Sequence, residues 1–222
     1  MAADIIVSYD GTPNDDDALA LGRALAAGGA TLALAYVRHA RETDPRGEEL
    51  AEHDARRRLE AGLQGLGDQS VATHVVHSAG TDLGLEQLAA ELGARLIVFG
   101  SDYRTTPGRA EPGNTAQRML EGAPVAVAVA RAGLRAEADA SVLTVAVAPP
   151  DGPGPAHRAA SRLADSLGAR MVENGTRADL ILVASALEGR PGRLSLSGSA
   201  RAALDSARGS VAVLPAGAAS LF

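Results

Sequence analysis

Two glycines on either side of a polar loop are the residues of this sequence best placed to do chemistry. Gly100 follows the apolar run Leu96 to Phe99, and Gly113 opens a short helical segment that leads to a second apolar run, Val125 to Val129. A loop that leaves the carboxyl end of a strand and enters a helix collects unpaired N–H groups and the positive end of the helix dipole, which suits an anion. Gly100 and Gly113 therefore bracket the candidate site. The loop itself is mixed in charge: Asp102 and Glu111 oppose an anion, and Arg104 and Arg109 favour one. Near the start of the chain Asp10-Gly11 ends another apolar run, and an aspartate there either reaches a ligand or makes an Asx-type turn with the glycine.

These residues need a scaffold, and the hydrophobic pattern supplies it. The runs Ile5 to Ser8, Leu32 to Val37, Val71 to His77, Leu96 to Phe99 and Val125 to Val129 are short and rich in β-branched residues, as in parallel strands covered on both faces. Between them lie helical patterns. The first carries Asp15, Asp16 and Asp17 in its opening turn and stops at Gly28-Gly29. The three acids complement the helix dipole; successive helical residues point about 100° apart and cannot converge on one metal ion. After a polar loop from Arg38 to Gly47, the second helix turns Leu50, Ala55, Leu59 and Leu63 inward and leaves Arg56, Arg57 and Arg58 to solvent. A third spans Leu85 to Leu92. Right-handed crossovers give an α/β doubly wound parallel sheet of five strands in the order 3-2-1-4-5, which makes Asp10 and Gly100 neighbours at the switch point.

The chain then starts again. After a linker over residues 134–140, SVLTVAVAPPDGPGP echoes the opening strand and its Asp151-Gly152. An apolar helical stripe, the strand Ala178 to Ser185, the pair Gly198-Ser199 and the strand Ser210 to Leu214 repeat later features. The copy is shortened, because five residues between Val172 and Ala178 cannot hold a helical crossover. Ala184 and Leu187 stand where the first half has its strand-end residues Gly100 and Tyr103. The expected organisation is a complete unit at 1–133 and a smaller truncated one at 141–222. Bare apolar edges invite aggregation, so the last strands of the two halves, Val125 to Val129 and Val211 to Leu214, are expected to pair antiparallel within the chain.

The strand ending in glycine, the nine residues between Tyr103 and Gly113, the opening IIVSYDGT, the strand LALAYV and the repeated ADLILVAS together resemble the universal stress protein (UspA-type) family. The resemblance covers most of the chain. It implies a site for ATP or another adenine nucleotide, with Mg, in which Gly100, Gly113, Asn114 and Thr115 wrap the phosphates. Asp10, with Gly11, would lie beside the ribose and adenine, Val37 would contact the adenine, and Phe99 would lie among the residues around the nucleotide. The family's second loop glycine is Tyr103 here, and its G-[ST] pair reads Gly113-Asn114-Thr115. Tyrosine has a Cβ and a large ring to place where backbone should approach a phosphate, whereas Asn114 can cap the helix as serine would. The resemblance also implies pairing of the last strands across a homodimer, which the second half would mimic.

Composition removes other classes. The net charge of −6 and the lack of a basic, aromatic-interleaved cluster exclude a nucleic-acid partner. No cysteine is present, so thiolate chemistry and Cys-ligated zinc are absent. The aromatic share of 2% leaves a core of Ala, Val and Leu and close helix-to-sheet packing. The start lacks a signal peptide or long apolar stretch, which predicts a cytoplasmic protein without membrane contact, and the Ala, Gly and Arg bias fits a GC-rich bacterial genome. His39, His53, His74, His77 and His157 show no metal-ligand spacing, and Asn174-Gly175-Thr176 reads as a turn. No nucleophile can be matched to a base, so no enzymatic activity is assigned. Two function classes remain: a nucleotide-free module working through an unidentified protein partner, and a regulator whose nucleotide occupancy switches partner binding.

Overall fold

In a computed structural model, described for residues 2–39, 44–137, 140–149, 154–173, 177–186 and 190–222, the apolar runs become strands and the periodic segments helices. The order is β1 (Ile5–Ser8), α1 (Pro13–Ala26), β2 (Leu32–Arg38), α2 (Pro45–Leu66), β3 (Ala72–His77), α3 (Thr81–Leu92), β4 (Leu96–Phe99), α4 (Asn114–Leu120) and β5 (Ala126–Val129). A 3-10 turn, Leu134–Ala136, leads to β6 (Thr144–Val147), α5 (Pro155–Leu167), β7 (Arg170–Met171), β8 (Leu180–Ala184), α6 (Gly198–Ser206) and β9 (Ser210–Leu214). Arg41, Asp151-Gly152, the Asn174-Gly175-Thr176 triplet and Leu187 lie outside the described residues.

The nine strands of the described residues join one sheet in the order β3-β2-β1-β4-β5-β9-β8-β6-β7. The first five are parallel and in the expected 3-2-1-4-5 order. β5 and β9 meet antiparallel, with Val127 opposite Val213 and Val129 opposite Val211, so the two halves share a sheet. Successive strand residues alternate between its faces. Ile5, Val7, Leu34, Val98, Val145 and Leu182 pack with α1, α2 and α5. Ile6, Val37, Ile97, Phe99, Val127 and Val183 pack with α3, α4 and α6. Helices approach closely because the facing residues are small: a Cβ at Gly22 of α1 would lie 2.6 Å from Val7 Cγ2.

Two expectations need correction. Leu50 is 68% exposed, so the inward stripe of α2 consists of Ala55, Leu59 and Leu66, with Leu63 partly buried. The Arg38 to Gly47 loop is also shorter than its composition implies. Arg38 closes β2 and is buried, and α2 begins at Pro45 with the Asp44 carboxylate accepting from the Gly47 amide at 2.9 Å. Arg38 is held inside because its guanidinium meets Glu48 at 2.9 Å and Glu52 at 3.2 Å.

The segment between the halves is anchored rather than loose. Asp17 is fully buried in α1, and its carboxylate accepts from the amides of Gly133 (2.9 Å) and Arg135 (2.7 Å) and from the Arg135 guanidinium (2.8 Å). Asp17 is therefore more than a dipole partner: it ties the first helix to the turn that leads out of β5. Further bonds lock the halves together: Leu194 N–H to the Ala123 carbonyl at 2.9 Å and Arg193 to the Gly122 carbonyl at 2.7 Å.

Asp17→Ala strips three donors of their acceptor in the interior. It is expected to cost about 3 kcal/mol of folding stability, read as a drop in the urea midpoint. Asp17→Asn, which keeps an acceptor, should cost less.

Candidate functional site

β1 and β4 lie side by side with Val7 opposite Val98, so Asp10 and Gly100 emerge together at the carboxyl edge of the sheet. The helices that follow these strands run back from the same edge, which brings α1 and the loop of residues 101–112 face to face. Gly100 is needed there for a packing reason. A Cβ at that position would lie 2.1 Å from the Asn14 carbonyl oxygen, and the Asn14 side chain donates to the Ser101 carbonyl at 2.8 Å. Asn14 carries no signal in the sequence beyond its place next to Pro13, so its role was not legible there.

The three acids of the first turn of α1 each have a task. Asp15 accepts from the Thr12 amide (2.9 Å), the Thr12 hydroxyl (2.8 Å) and the Asp10 amide (3.0 Å), fixing the turn through Gly11 at φ +82°. Asp16 accepts from the Tyr9 hydroxyl at 3.3 Å, and Tyr9 is pushed up to about 12 by burial first and by Asp16 second. Asp10 is exposed along one side, yet the surrounding protein and the nearby Asp15 raise its pKa, against the pull of Arg58 and His39. Arg58 reaches over from α2, donating to the Asp10 carbonyl at 2.8 Å and lying 5.5 Å from the centre of the Tyr36 ring.

The loop after Gly100 is closed on itself. Ser101 bridges Pro112, and its hydroxyl bonds the Ala130 carbonyl at 2.6 Å and accepts from the Glu111 amide at 3.2 Å. The amide of Asp102 goes to the Glu111 carbonyl, that of Arg104 to the Asp102 carboxylate, and that of Thr105 to the Asp102 carbonyl. Those of Gly108 and Arg109 go to Ala132 and Thr106. Six amides that could have faced an anion thus have acceptors within the chain. Tyr103 projects outward, 75% exposed, with Arg104 over its ring at 4.9 Å.

The remaining expected residues separate into two groups. Gly113, Asn114 and Thr115 do stand at the start of α4, but Gly113 is the capping residue and Asn114 already lies inside the helix, so the expected asparagine cap is not made. In the second half the corresponding cap is Ser197, which accepts from the Ala200 amide at 3.1 Å, and Gly198-Ser199 follow it. Val37 and Phe99 are buried against α3 and α4 and belong to the core.

One cluster was invisible in the sequence. Glu48, Glu52 and His77 bring ligand atoms within 4.8 Å of one another, the spacing of a metal-binding set. The Arg38 guanidinium sits among them, 3.2 Å from His77 Nε2 as well as on both glutamates, and supplies the positive charge an ion would bring. The cluster fixes the start of α2 to the ends of β2 and β3.

Comparison with known proteins covers both halves. Residues 1–131 match the universal stress protein family. A universal stress protein from Archaeoglobus fulgidus superposes with a TM-score of 0.71 at 12% identity, over 98% of this chain and 100% of the other. A putative universal stress protein from Pseudomonas aeruginosa gives 0.61 at 16% identity, over 96% of this chain and 93% of its own. At these identities the likeness is one of fold. No curated protein matches the sequence.

The raised pKa of Asp10 carries a sign. A carboxyl that holds its proton more tightly when folded weakens the folded state once it is ionised. Asp10→Asn should therefore raise the melting temperature at neutral pH. The gain should shrink as the pH falls through the raised pKa and vanish below the ordinary carboxylate range. Gly100→Ala should do the opposite at every pH, lowering stability by roughly 2 kcal/mol through the clash with Asn14. Melting curves of both variants from acid to neutral pH check the pair.

Proposed function

Because this chain belongs to the universal stress protein family, we propose that it is a cytoplasmic stress-response module that acts through protein contacts. In this reading the adenine-nucleotide site of its first half is kept only as a degenerate remnant. The observation that carries the reading is the self-satisfied loop of residues 101–112. Six of its amides are engaged within the chain, its acidic side chains Asp102 and Glu111 would repel a polyphosphate, and Tyr103 stands where the family's backbone comes nearest the phosphates. A triphosphate would have to open that loop before it could be held.

A second reading has one observation in its favour. Gly113 at the start of α4 makes no side-chain cap, and no atom lies within 4 Å of where its Cβ would be. Room and helix-start amides at Asn114 and Thr115 suit a phosphate, so ATP or another adenine nucleotide is the ligand this reading would take.

Thermal-shift and calorimetric titration with ATP, ADP, AMP and cyclic AMP, with and without magnesium, separates the two. A ligand of the native state must raise its melting temperature. Under the proposal no nucleotide gives a saturable shift at about 1 mM. Saturable stabilisation that disappears in Gly113→Trp would instead establish the nucleotide-responsive regulator.

A further inference from the structure

A sheet has to protect its edges, and among the described residues this one protects all but β3. β5 and β9 cover one another, and β7 at the far end is only two residues long. β3 is an edge strand of six residues, each half-buried or exposed. None of the usual guards is present: the strand has no proline, lysine or acidic residue. Residues 69–81 carry no formal charge with histidine neutral, in a chain of which 22% is charged. Val75 and Val76 pack only partly against the two cores.

The hydrogen-bond register shows what such an edge accepts. The Ser78 amide bonds the Arg38 carbonyl of β2, and in a parallel ladder alternate residues turn both backbone groups to the same neighbour. Residues 72, 74, 76 and 78 therefore face β2. Thr73, Val75 and His77 aim their N–H and C=O groups away from the sheet. This outward set is symmetric about Val75. Turned through a two-fold axis, it meets itself: Val75 faces Val75 of a second copy, and Thr73 faces His77 of that copy, with six N–H···O bonds made across the seam. An orphaned polar atom lies on the same strand. His74 Nε2 is buried without a hydrogen-bond partner among the described residues.

We propose that β3 is a self-pairing edge through which two copies of this chain join antiparallel about Val75, extending the sheet across the dimer. The neutral edge offers a charged foreign strand no opposite charge to offset its desolvation, and paired with itself it brings no like charges together along its length. The seam lies at the opposite end of the first parallel sheet from β5.

Sedimentation velocity of the full chain across a concentration series tests this, with hydrogen exchange as a second readout. The expected result is a reversible monomer–dimer equilibrium in which the amides of Thr73, Val75 and His77 gain protection as dimer forms. Thr73→Pro removes an outward donor and leaves the bonds to β2 intact, so it should weaken dimerisation roughly tenfold or more. Val75→Lys, which sets like charges opposite each other on the axis, should abolish it. Melting curves of both variants confirm that they fold, and if one does not, the other together with the exchange pattern decides. A monomer at every concentration up to about 1 mM, or a dimer unaffected by the variants and without protection on β3, overturns the proposal.

Discussion

The antiparallel meeting of β5 and β9 governs the rest of the architecture. Alone, either strand would be a bare apolar edge, because Ala126–Val129 and Ser210–Leu214 are buried along their whole length. Joined, they turn two parallel sheets of opposite direction into one nine-stranded sheet and bring α4 and α6 onto the same face. Once that contact is made, β6 to β9 and their helices rest on the shared core as well as on their own packing. The bonds from Arg193 and Leu194 to the turn after α4 reinforce the same seam.

That arrangement separates two demands on the first half. The carboxyl edge near Asp10 and Gly100 is where the fold gathers polar groups, and the loop of residues 101–112 meets those groups internally. Asn14 holds it from α1 and Ser101 anchors it to the end of β5, while Asp15 fixes the neighbouring turn at Asp10 and Thr12. A loop so bonded is a rigid surface feature rather than an adaptable cradle. Tyr103, exposed beside Arg104, lies on that surface.

Much of the fold could be read from residue order alone. Continuous β-branched runs mark strands buried on both faces, and the need to cover two bare apolar edges predicted the β5–β9 pairing. The missed features depend on distance rather than pattern. Asp15, Asp16 and Asp17 look alike in sequence, yet only Asp17 finds partners more than a hundred residues away. Arg38 reads as the first residue of a polar loop until Glu48, Glu52 and His77 converge on it. Leu50 fits the helical stripe of α2 but stands near the beginning of that helix, where α2 has nothing to cover it. At the candidate site, Gly100 follows β4 and Gly113 caps α4 as their spacing predicts, whereas the destination of the loop amides is a matter of three-dimensional bonding that no spacing records.

The buried carboxylate of Asp17 also bears on where the first half could be cut. The part recognisable as the family unit ends at residue 131, short of Gly133 and Arg135, whose backbone amides hold that carboxylate. The stretch that matches the family and the stretch that satisfies Asp17 therefore differ by a few residues. A copy of the first half cut at residue 131 would leave a naked negative charge inside its first helix, whereas one that carries the 133–135 turn along keeps the donors of that carboxylate.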